Sequence, residues 1–108
     1  VVKEVTGDVL LRALEYAVSV LPGFSGGFLI VSGITFTFDI KKSPRIQEAM
    51  SANIAEIVED YKLAAQIYIA SGGDGFEMLK PCKMLIDPIA GIDTLRLILK
   101  FFKGITKY

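Results

Sequence analysis

Residues 61–76 read Tyr61-Lys62-Leu63-Ala64-Ala65-Gln66-Ile67-Tyr68-Ile69-Ala70-Ser71-Gly72-Gly73-Asp74-Gly75-Phe76. From Tyr61 to Ala70 the side chains alternate. Leu63, Ala65, Ile67 and Ile69 fall on one side and Lys62, Ala64, Gln66, Tyr68 and Ala70 on the other, the period of a half-buried strand. The first set is the natural core face, so a strand over 61–70 turns Tyr68 away from the core. Ser71-Gly72-Gly73-Asp74-Gly75 then breaks the pattern, and a short helical turn is predicted through Phe76 and Leu79.

Upstream, Leu10, Ala13, Leu14, Ala17, Val18 and Leu21 recur at helical spacing, with Asp8, Arg12, Glu15 and Ser19 opposite. This predicts an amphipathic helix over 8–21, capped by Thr6 and stopped by Pro22-Gly23. Phe28-Leu29-Ile30-Val31 reads as a buried strand. After a kink at Ser32-Gly33 a second strand begins, with Ile34, Phe36, Phe38 and Ile40 on its core face. Over 43–60 the period is helical, with Ser43 as cap and Pro44 at the first helical position. Met84-Leu85-Ile86 is a short strand. A last helix is expected over 93–103, placing Leu95, Ile98, Leu99 and Phe102 on the core. Its Arg96, Lys100 and Lys103 are read as the cationic end of a core helix rather than as a membrane-surface pattern. The strands lack regular helical crossovers, so the expected class is α+β: a single domain over 1–108, with a mixed sheet packed by an N-terminal and a C-terminal helix.

Composition removes most catalytic classes. The 108 residues contain no histidine, which excludes a Ser-His-Asp triad, a Cys-His pair and His-bound zinc within this chain. The lone cysteine, Cys82, can form no internal disulfide and reads as a small apolar filler. Twelve basic and twelve acidic side chains cancel, leaving no electrostatic footprint for nucleic acid. The hydrophobic fraction is 52%, high for a small domain, yet no run is long enough for a transmembrane segment. The chain begins at Val1 with no signal-peptide pattern, which suits a portion of a longer protein.

One constellation carries chemistry. Tyr68 offers a π face for a base. Gly72 and Gly73 allow the backbone to come close to a ligand. Asp74 presents a carboxylate that accepts from hydroxyl groups. The set suits a nucleoside, with its base on Tyr68 and its sugar on Asp74. It does not suit a bare phosphate, because the loop holds no Lys or Arg and Asp74 repels an anion. The plainer alternative is a glycine-rich turn in which Asp74 only caps the helical turn through Phe76.

Tyr61-Lys62-Leu63-Ala64 together with Ile69-Ala70-Ser71-Gly72-Gly73-Asp74-Gly75-Phe76 resembles the C-terminal domain of the 5'-nucleotidase family. Leu10 to Val18 resembles its opening helix, and Gly27-Phe28-Leu29-Ile30-Val31-Ser32-Gly33-Ile34, with an aromatic strand ending at Asp39, resembles its next segment. The resemblance implies an enzyme of two domains. An N-terminal domain holds two divalent metal ions and hydrolyses phosphate esters, and a C-terminal domain sandwiches the nucleobase between two aromatic rings. Tyr68 would be the second ring, where the family usually has Phe, and Asp74 would bind the ribose hydroxyls. The first ring belongs to a Pro-Phe-Gly-Gly-like motif expected upstream of Val1. Two positions depart from the family. Gln66 stands where Asn is common, and over 45–60 the family has two strands around an Asn-Gly turn where this chain has a helical period. Helix and hairpin both remain open there.

The resemblance implies a nucleoside or nucleotide ligand, a catalytic domain as partner, no cofactor in this chain and no activity of its own. Family members are periplasmic, cell-surface, secreted or intracellular, so the compartment stays open. The alternative from the residues is a non-catalytic interaction module, or a self-associating remnant of the fold that forms a homodimer.

Overall fold

The computed structural model describes residues 1–23, 26–51 and 60–105. Among these residues the chain is α+β, with three helices and two antiparallel sheets. Strand β1 (Val2–Thr6) leads directly into helix α1 (Gly7–Val18). Thr6 Oγ1 accepts from the Val9 N–H at 3.2 Å and Asp8 sits in the first turn, as the helix start requires. Leu10, Ala13, Leu14, Ala17 and Val18 are buried at the predicted spacing. Leu14 and Val18 are fully buried, each stabilising the fold by about 1.5–3 kcal/mol. Leu14 joins Val5, Phe76 and Leu79 at the centre of the core.

No element was expected over 1–6, yet β1 is the central strand of its sheet. Strand β4 (Asp60–Ala64) and strand β5 (Lys83–Ile86) flank it, both antiparallel. The Val2–Thr6 segment is short and puts a lysine on the core face, which hides its alternation. A second sheet pairs β2 (Ile34–Phe38) with β3 (Ile46–Ser51). Its register shifts between Thr37 and Phe38, so Phe36 packs against the core while Phe38 is exposed. The expected single sheet is therefore two.

Two further expectations are corrected, and one open alternative is narrowed. The 61–70 strand stops at Ala64. Its ladder ends with the Val1–Ala65 pair, and the next backbone groups close locally into helix α2 (Ile67–Ala70), with Ala70 N–H on Gln66 O at 3.0 Å and Ser71 N–H on Ile67 O at 2.9 Å. Phe28–Val31 is not a strand. Leu29 and Val31 pack on the core while Ile30 is 97% exposed. Of the segment 45–60, left open between helix and hairpin, Ile46–Ser51 is a strand and not a helix, because it pairs with β2, and the turn and second strand of the hairpin reading fall on 52–59. Residues 52–59 lie outside the described part.

Glu15 explains why β3 starts where it does. Its two carboxylate oxygens accept from the N–H groups of Arg45 at 2.7 Å and Ile46 at 2.9 Å. Arg45 in turn donates from its guanidinium to the carbonyls of Val18 at 2.8 Å and Leu21 at 2.7 Å, closing the C-terminal end of α1. Helix α3 (Thr94–Ile105) forms where the periodicity predicts, but it does not pack on the core as expected. Every residue from Thr94 to Gly104 is exposed, so its apolar side chains do not enter the core.

Candidate functional site

The glycine loop is held in place by residues distant in sequence. Lys3, 5% exposed, points its ammonium into the end of α2. It donates to the carbonyls of Ala70 at 2.6 Å, Leu79 at 2.9 Å and Lys80 at 3.1 Å. An ammonium has three donors, and here all three meet carbonyls, of which that of Leu79 also accepts from the Cys82 N–H at 3.2 Å. Phe76 and Leu79 are buried beyond it. The loop between, Ser71–Gly75, is thus clamped at both ends.

Inside the loop the backbone turns left-handed repeatedly. Gly72 has φ +94° and Gly75 φ +87°, and Asp74 itself sits at φ 54°, a region that Asp tolerates better than most residues. Tyr16 from α1 holds this conformation. Its hydroxyl donates to the Asp74 carbonyl at 2.9 Å, and its ring meets Phe76 edge-on with centroids 4.9 Å apart. A side chain at Gly75 would collide with the Tyr16 hydroxyl. Glycine at 75 is therefore required twice, by φ and by space.

Tyr68 stands on α2 rather than on a strand, but it is outward-facing as expected, at 59% exposure. Its hydroxyl donates to Asp74 Oδ1 at 3.0 Å. Gly73 lies against it, since a Cβ there would approach the ring carbons to 2.7 Å. The structure so brings Tyr68, Gly73 and Asp74 together on one rim. Gly72 is buried beneath, and a Cβ there would make ordinary contacts with Glu77 and Lys80 at 3.5 Å. A cavity of about 620 Å³, lined among others by Val5, Leu14, Leu29, Tyr61 and Ile69, lies elsewhere, and neither Tyr68 nor Asp74 lines it. The candidate site is an open rim.

Sequence reasoning missed Lys3 and Tyr16. The signal for Lys3 is its place beside Val5 in alternation, on the face that becomes the core. For Tyr16 it is an aromatic residue at the border of the polar face of α1. Among the described residues, no group of three or more His, Cys, Asp or Glu side chains is placed to hold a metal ion. Nor is any helix among them long and apolar enough to cross a membrane.

The sequence profile described as "5'-nucleotidase, C-terminal domain" matches residues 1–81. The chain belongs to this family. Relatives of this 5'-nucleotidase C-terminal domain are longer proteins. A 5'-nucleotidase of Diplobatis ommata is 32% identical over 95 residues, covering 78% of this chain and 16% of that protein. An apyrase of Tabanus yao is 33% identical, covering 74% of this chain and 17% of the relative. The crystal structure of a 5'-nucleotidase precursor from Thermus thermophilus superposes with a TM-score of 0.69 at 31% identity, over 74% of this chain and 17% of that one. The chain spans about a sixth of the length of the curated relatives it matches. The glycine loop lies within the matched residues and α3 lies beyond them.

Proposed function

We propose that this 5'-nucleotidase C-terminal domain recognises the nucleoside part of a nucleotide for a phosphohydrolase. The Tyr68 ring stacks on the base, and the Asp74 carboxylate accepts from the sugar hydroxyls. Gly73 lets the backbone of the rim approach the ligand, and Gly72, buried beneath at φ +94°, turns the chain that carries it. The observation that carries this reading is the 3.0 Å contact between the Tyr68 hydroxyl and Asp74 Oδ1. It puts a π face and a hydroxyl-accepting group within one nucleoside's reach, on a rim open to solvent. Stacking on one ring contributes about 1–3 kcal/mol, which suits weak binding by half of a two-ring clamp.

Hydrolysis in this reading takes place in an N-terminal catalytic domain outside these residues. The two divalent ions that the resemblance implies belong in this reading to that domain, since no group of three or more His, Cys, Asp or Glu side chains among the described residues is placed to hold a metal ion. What the chain does is bind and orient. Equilibrium dialysis against adenosine tests this, with adenosine retained by the chain and lost in Tyr68→Ala and Asp74→Ala. Retention unchanged in both variants overturns the assignment. A phosphate-release assay on AMP with Mn²⁺ or Zn²⁺ is expected to give no protein-dependent turnover, and robust turnover by the pure chain contradicts the division of labour.

A further inference from the structure

Helix α3 carries an apolar face with nothing of the core against it. Leu95, Leu97, Ile98, Leu99, Phe101 and Phe102 range from 47% to 66% exposed. With about 100° of turn per residue, they sweep an arc of about 200°. Arg96, Lys100 and Lys103 gather within about 60° on the opposite side. No acidic residue follows Asp93 in the chain. Asp93 caps the helix, its Oδ1 accepting from the Arg96 N–H at 2.9 Å, and its Oδ2 lies 3.4 Å from Arg96 Nε. A contiguous apolar surface of this kind marks an interaction site.

We infer that α3 is a peripheral membrane-binding helix whose partner is an anionic lipid surface. It is about 18 Å long, too short to span a bilayer core of about 30 Å, so it lies in the plane of the interface. The wide apolar arc with adjacent Phe101 and Phe102 enters the acyl boundary, and the cationic stripe stays among the headgroups. Charge selects the occupant. A cationic stripe with no acidic residue after Asp93 complements an anionic headgroup layer, whereas a second copy packed through the apolar face would leave both stripes facing solvent. The helix lies beyond residue 81, outside the family match, so this role is independent of the nucleoside site.

Co-sedimentation of the full chain with vesicles of phosphatidylcholine and phosphatidylserine, against phosphatidylcholine alone, tests the inference. Partitioning is expected to be roughly tenfold stronger on the anionic vesicles and to fall as salt shortens the Debye length. Lys100→Gln should weaken it about fivefold and Leu99→Asp should abolish it, while both variants keep the thermal unfolding midpoint of the parent. No sedimentation with either vesicle overturns the inference, and so does equal sedimentation with both. Light scattering without lipid covers the other occupant. A concentration-dependent dimer that Leu99→Asp dissolves, with no vesicle binding, assigns the face to a second copy and overturns the lipid role.

Discussion

The hydroxyl of Tyr68 and the Asp74 carboxylate are joined across six residues of chain by a 3.0 Å hydrogen bond. The bond orients both partners before any ligand arrives, and it occupies one carboxylate oxygen. Tyr68→Phe keeps the stacking face and releases Asp74 Oδ1. Adenosine binding should therefore survive in this variant, while Tyr68→Ala should lose about tenfold or more, read by equilibrium dialysis. Because Tyr68 is 59% exposed, neither variant should shift the urea midpoint by more than about 0.5 kcal/mol equivalent.

Lys3→Met removes the donors for the carbonyls of Ala70, Leu79 and Lys80 while keeping the bulk of the side chain. The Leu79 carbonyl keeps the Cys82 N–H, but the buried Ala70 carbonyl loses the ammonium, and a buried acceptor left unpaired costs about 1–3 kcal/mol, which is the expected loss. The urea midpoint should fall with little change in slope. A midpoint that holds would show that these carbonyls find other partners.

Gly75→Ala forces a Cβ onto φ +87° and into the Tyr16 hydroxyl. The expected loss is about 1–3 kcal/mol, with the Tyr16 bond to the Asp74 carbonyl broken. Tyr16→Phe is the control, since it deletes that bond without the clash. It should cost only about 1 kcal/mol and keep the edge-on contact with Phe76. Thermal unfolding followed by circular dichroism separates the two.

Glu15→Ala removes the carboxylate that accepts from the Arg45 and Ile46 N–H groups. The β2–β3 hairpin should loosen from α1 at a cost of about 1–3 kcal/mol. Hydrogen exchange should quicken at Arg45 and Ile46 but not at β1. Uniform quickening throughout the chain would show that the hairpin does not open by itself.

The sequence was legible where a single period held. The Leu10-Ala13-Leu14-Ala17-Val18 stripe gives α1 and its buried face together. It misled where local propensity and tertiary pairing compete. Ile46, Ala49 and Met50 suit a helical face as well as a strand, and pairing with Phe36 and its neighbours decides for the strand. Leu63 to Ile69 alternates throughout, but the ladder runs only to Ala65, and the backbone beyond it closes into α2. The rim was legible as a set of residue types, because Tyr68, Gly73 and Asp74 lie close in sequence. Lys3 and Tyr16 were not, because they reach the loop across 67 and 58 residues and no local pattern encodes that distance.

The central claim is that one nucleoside touches Tyr68 and Asp74 at once. Its most direct test is an adenosine titration followed by amide chemical shifts in the assigned full chain. The account predicts shifts concentrated at Tyr68 and at Gly72 to Gly75, abolished by Tyr68→Ala. Shifts centred on the cavity beside Leu29 and Tyr61, or unchanged in Tyr68→Ala, would contradict it.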